Sequence, residues 1–162
     1  MRWKKSASVV VALAFLIPAA PAMAQAAQPG FDAGCQTVER EAYTDIRTLV
    51  TIDLGAATDV EVRVLANQIL SAAKADSLPV LPGAIQERLD GTPDDLRNFV
   101  KDDLQNAWSV ALRVTVTRTL TDAGAAVQEA AKEVLKNGNA DVYLAYLNEG
   151  LYTARERDCA SQ

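Results

Sequence analysis

Apolar residues in this chain recur at helical spacing. After Thr58, the residues Val62, Leu65, Ile69 and Ala72 share one face, while Glu61, Asn67, Gln68, Ser71 and Lys74 fall mostly elsewhere. The spacing predicts an amphipathic helix. Its start is written in Thr58-Asp59-Val60-Glu61. There the Thr hydroxyl can accept the N–H three residues on, and the Glu carboxylate can accept the N–H of the cap. Thr92-Pro93-Asp94-Asp95 is a second start. Its Pro occupies the first helical position, where no N–H is needed, and its aspartates suit the positive end of the helix dipole. Asn139-Ala140-Asp141 is a third. Gly91 and Gly138 follow apolar runs ending at Leu89 and Leu135 and are expected as left-handed stops.

The stretches LDGTPDDLRNFV (89–100) and LKNGNADVYLAYL (135–147) are therefore the same helix–Gly–cap–helix corner written twice. Gly91 and Gly138 are 47 residues apart, and that offset carries Phe99 to Tyr146, Val100 to Leu147, Leu104 to Leu151 and Ala107 to Ala154. An offset of 50 carries Arg63 to Arg113 and Leu70 to Leu120, with an insertion around residues 76–83. A period of this size is typical of stacked helical repeats, whose units cannot bury their apolar faces alone. The runs TLVTIDL (48–54) and RVTVTRTL (113–120) are β-branched and alternate like strands. Neither is flanked by a hairpin turn, and the second is fused to a helical pattern, so helix is expected. A break is expected near Asp102-Asp103, where the second copy has Gly150.

At these residues the chain resembles the short ALF repeats of actinobacterial secreted proteins. Those units run as an Ala, a Leu closing a helix, a Gly-Thr-like acidic corner and a Phe-Leu pair. The second copy here has Ala131, Leu135, Gly138, Asp141 and Tyr146-Leu147. The first has Ile85 in place of the Ala, then Leu89, Gly91-Thr92, Asp94-Asp95 and Phe99-Val100. The resemblance spans about residues 58–157. It implies secretion and helices and brings no activity, because the family's function is unknown.

The N-terminus fixes the expected compartment. Arg2, Lys4 and Lys5 precede a short apolar run, residues 9–17, and Ala22-Met23-Ala24 follows. This is the layout of a secretory signal cleaved after residue 24. The run is too short to span a bilayer and is cut by Pro18 and Pro21. A lipid-modified Cys35 is excluded, because Asp32 stands where an aliphatic residue belongs. The protein is thus expected to be secreted, with residues 25–34 as a flexible lead-in and 35–160 as one helical domain. Removing Arg2, Lys4 and Lys5 leaves 13 Lys+Arg against 21 Asp+Glu, a net charge of −8. That balance argues against nucleic acid and against anionic lipid as partners. Cys35 and Cys159 are the only cysteines. In an exported chain an even pair reads as a disulfide. The fold expected is all-α: helical hairpins from two diverged repeats in one small domain, its first and last helices joined by Cys35–Cys159.

Candidate chemistry is sparse. The chain has no histidine, so it lacks the usual neutral-pH base and an imidazole metal ligand. Ser71, Ser77 and Ser109 have no triad partner. No cofactor motif is present. Asp94-Asp95 and Asp102-Asp103 could serve a glycosidase in principle, but their positions fit helix N-terminal charge. Trp108, Tyr143, Tyr146 and Tyr152 gather in the two repeats. Spacing of this kind commonly makes core; the alternative is a binding face, for which Tyr and Trp are favoured. These readings point to a secreted, non-catalytic interaction or scaffold domain, possible partner an unidentified protein. The second reading is a carrier of a small apolar ligand held between helices.

Overall fold

The computed structural model describes residues 29–136 and 138–161. The expected leader, 1–24, and residues 25–28 lie outside them. The fold is mostly helical. The capping box is formed in full at the start of α1 (Asp59–Ala75): the Thr58 hydroxyl accepts the Glu61 N–H, and the Glu61 carboxylate accepts the Thr58 N–H. After α2 (Leu81–Leu89), Thr92 caps α3 (Pro93–Asn98) through the Asp95 N–H. The chain continues as helix through a π turn, Phe99–Asp103, into α4 (Leu104–Arg118). Next come α5 (Ala125–Lys136) and α6 (Ala140–Ala145), the latter capped by Asn139. A second π turn, Tyr146–Gly150, leads into α7 (Leu151–Ala160).

The repeat is visible in these boundaries. Short helix, π turn and long helix start at Pro93, Phe99 and Leu104, and again at Ala140, Tyr146 and Leu151, 47 residues later each time. The expected break near Asp102-Asp103 is such a π turn. The Leu104 N–H reaches the Phe99 carbonyl, as the Leu151 N–H reaches Tyr146, one residue further than in an α-helix. Phe99, Val100 and Leu104 are buried, as are Tyr146, Leu147 and Leu151. The core runs through both units, from Val62 and Ile69 of α1 through Leu81, Ile85, Leu96, Trp108 and Leu112 to Leu147. Of the run 113–120 expected as helix, residues 113–118 are helix and Thr119 and Leu120 form the turn that ends it. The Thr115 and Thr117 hydroxyls donate to the carbonyls of Ala111 and Arg113, four residues back, a bond open to threonine inside a helix.

The N-terminal region departs from expectation. Cys35 starts no helix. Residues 29–34 of the expected lead-in are ordered into a strand and turn: β1 (Pro29–Phe31) pairs antiparallel with β2 (Thr37–Glu39). The Asp32 carboxylate closes the turn by accepting the Gly34 and Gln36 N–H groups. The Cys35–Cys159 bond therefore joins this hairpin, not a first helix, to the end of α7. Residues 48–54 form no helix beyond the 3-10 turn Ile46–Leu49, because Asp45 and Asp53 capture nearby N–H groups into local turns. The helix stops differ too. No described glycine is left-handed; Ser77 after α1 and Asp122 after α4 take that conformation instead.

One cap comes from a distant helix. The Asp158 carboxylate on α7 accepts the Ala126 and Val127 N–H groups at the start of α5, at 2.7 and 3.1 Å. Gly124 leaves room for it, since a Cβ there would strike the carboxylate. Asp158→Ala is expected to lower stability by about 1 kcal/mol, the usual worth of a cap. Urea unfolding measures this, and an unchanged midpoint would show the cap to be idle.

Candidate functional site

The aromatic residues singled out in the sequence do not make an exposed binding face. Trp108, Tyr143, Tyr146 and Tyr152 are each at most 4% exposed. The helical spacing that groups them also turns them inward with Leu147 and Leu151. Trp108 lies in the core beneath the Arg47 guanidinium, 5.2 Å from the ring centre. The Tyr146 hydroxyl bonds with the Thr119 hydroxyl at 2.9 Å, and burial raises its pKa. Tyr152 sits under the hairpin: Gly30 packs against its ring, and its hydroxyl accepts the Glu41 N–H at 2.7 Å. Arg40 and Arg155 lie over that ring, at 5.3 and 5.6 Å.

Asp95 is bonded to its cap, Thr92, and Asp102 and Asp103 are exposed on the π turn. Among the described residues, no three His, Cys, Asp or Glu side chains are placed to hold a metal ion.

The more distinctive surface is a groove on the second unit, with a volume of about 600 Å³. Ala130 and Val134 of α5 form one wall; Val142 and Ala145 of α6 form the other. The π turn contributes the Tyr146 ring edge and Gly150. A Cβ at Gly150 would stand 3.2 Å from the Tyr146 ring, so glycine lets the turn pack closely on that buried ring. Glu133, Glu149 and Arg157 form a charged rim. The first unit has no such groove at matching positions. Asp95 stands for Val142 and Asn98 for Ala145 at the 47-residue offset, and Arg88 stands for Val134 one residue out of that register. The Arg88 guanidinium lies over the Phe99 ring, at 6.0 Å. Aligning the two copies by their outward positions, not their core, is the sequence signal that marks these residues.

Elsewhere the cavities are smaller and more polar. One, of 230 Å³, is lined by Glu41, Tyr43, Asp76 and Ser77. Burial, with Glu41 next to it, pushes the Tyr43 phenol up to about 12. Unfolded tyrosine ionises near about 10. The stability this contributes is present below pH 10 or so and is lost as pH rises towards about 12. Ultraviolet titration of tyrosinate should show a phenol ionising at about 12 that Tyr43→Phe removes, leaving the raised phenol of Tyr146 in place; a titration unchanged by Tyr43→Phe would refute this.

Residues 113–154 match the family model of ALF, described as short repeats of unknown function. The match begins within α4 and ends within α7, and it includes every groove residue except Arg157. The first copy of the corner lies outside it. No curated protein and no solved structure matches the chain.

Proposed function

We propose that the protein is an exported, non-catalytic interaction module that binds a protein partner in the groove of its second unit. One observation carries the reading: at matching outward positions of the two units, Asp95 and Asn98 in the first are replaced by Val142 and Ala145 in the second. A groove of small apolar residues with charged edges suits helix-in-groove recognition. The leader pattern and the disulfide support export, and among the described residues no helix is long and apolar enough to cross a membrane. The lack of histidine supports a role without catalysis.

The carrier reading asks for an enclosed site. The groove is open along its length, and the three less open cavities hold 230, 290 and 220 Å³. Ligand pockets start at about 300 Å³, so the geometry favours a partner over a small ligand.

The repeat supplies its own control for a test. A photo-crosslinking side chain is placed at Val142 or, in a second chain, at the matching Asp95. Each chain is irradiated in the medium and envelope of the producing cell. The expected result is a protein adduct of one mass from position 142 and none from position 95. Equal yields from both, or no adduct from 142, would overturn the proposal.

A further inference from the structure

We infer that the hairpin of residues 29–39 is a redox-latched cap on the second unit: reduction of Cys35–Cys159 frees it from α7 and leaves the helices folded. The inference is independent of the groove, which takes Thr153 and Arg157 from α7.

The repeat shows what the hairpin replaces. The 47-residue offset carries Trp108, Ala111 and Leu112 of α4 to Arg155, Asp158 and Cys159 of α7. The three residues of α4 are fully buried, and α4 packs on α5 and α6 of the following unit. Their counterparts on α7 are polar or bridged and only half-buried. There β1 packs on α7: Arg155 donates to the Phe31 carbonyl, and Cys159 is bonded to Cys35. The hairpin thus sits on α7 as the next unit sits on α4. Stacked repeats need a polar or covered face at each end, and α7 has both.

The cap can leave without disturbing the core. None of residues 29–42 belongs to that core, which starts at Ile46 with Tyr43 packed against it. Tyr152 is buried yet also stands apart from it. What covers Tyr152 is the chain around the hairpin, with Gly30 on its ring and the Glu41 N–H on its hydroxyl. Firm anchorage begins just beyond: the Tyr43 N–H and carbonyl both bond Asn148, and the Thr44 N–H donates to Asp76 at 2.7 Å. Ala42 is therefore the hinge. The bond is within reach of solvent, since both cysteines are half-buried and Cys159 lines a cavity of 290 Å³. A dithiol supplies the electrons. Its thiolate attacks the Cys159 sulfur, and the Cys35 thiolate leaves and takes a proton. The second thiol then displaces Cys159, and the reagent becomes the disulfide. The chain gains two electrons and two protons.

Hydrogen exchange read by mass spectrometry on the full chain, oxidised and then reduced with dithiothreitol, tests this. In the reduced chain, residues 29–41 are expected to lose their protection. The helices α1 to α6 should stay protected, losing no more than the overall fall in stability dictates. Reoxidation should restore the hairpin, and the double variant Cys35→Ser, Cys159→Ser should match the reduced chain. Arg40→Ala in the oxidised chain breaks the ion pair to Glu156 but keeps the disulfide, so the hairpin should stay protected there. Complete loss of protection in hairpin and helices together on reduction would overturn the inference, because the bond would then staple the whole fold. A hairpin still protected after reduction, or one that Arg40→Ala alone sets free, would overturn it as well.

Discussion

Replacing Cys35 and Cys159 together by serine is expected to lower the unfolding free energy by about 4–5 kcal/mol. The bond closes a loop with a sequence separation of 124 residues, and the chain-entropy cost of opening such a loop in the unfolded state is about 4–5 kcal/mol. Domain stabilities run from about 5 to 15 kcal/mol, so the loss is about a quarter or more of the total. Its structural consequence should be local. The hairpin is otherwise held to α7 by few groups: Arg40 on Glu156 at 3.2 Å, Arg155 on the Phe31 carbonyl at 3.4 Å, and the Tyr152 hydroxyl on the Glu41 N–H. Past the hairpin, Asn148 accepts from the Tyr43 N–H and donates to the Tyr43 carbonyl. Hydrogen exchange in the variant should therefore quicken furthest at β1 and β2, while α4 loses no more protection than the global loss of stability dictates. Urea unfolding measures the whole loss. A loss below about 1 kcal/mol would mean that the unfolded chain is already compact there, and the entropic account would be wrong for this protein.

That hairpin is also where sequence reasoning fell short. The helix starts were legible because a cap is a local device: Thr58, Thr92 and Asn139 each bond an N–H three residues away. The repeat was legible because its core positions carry the same chemistry, Phe99 with Tyr146 and Val100 with Leu147. The hairpin was not, since its strands have three residues each and their stability comes from α7 and the disulfide rather than from their own propensity. The stops misled for a related reason. Gly138 suits a helix end, but its small size serves the Tyr143 hydroxyl, which a Cβ there would strike. Positive φ fell instead to Ser77 and Asp122 past the ends of α1 and α4, and also to Cys35 and Val80. The aromatics show a further limit: spacing tells that residues share a face, but not whether the face is covered. The groove was hidden because its walls are ordinary alanines and valines, notable only beside Asp95, Asn98 and Arg88 in the other copy.

Trp108 gives the second large effect, and it comes with a contrast. Its side chain is fully buried between the two units, so Trp108→Ala is expected to cost about 3–5 kcal/mol through lost packing and the cavity left behind. Yet among the described residues no protein acceptor meets the indole N–H, and a buried donor left unpaired is unfavourable by about 1–3 kcal/mol. Trp108→Phe removes that donor while keeping much of the ring volume. The two changes oppose each other, and the Phe variant should lie within about 1 kcal/mol of the parent. The Arg47 guanidinium, which stacks over the indole and also pairs with Asp45 and Asp141, should remain stacked on phenylalanine. Thermal and urea unfolding of the two variants decide the matter. A Phe variant as unstable as the Ala variant would mean that the indole N–H does make a bond that matters, most simply to a buried water, and the site would then be polar at its centre rather than a packed apolar core.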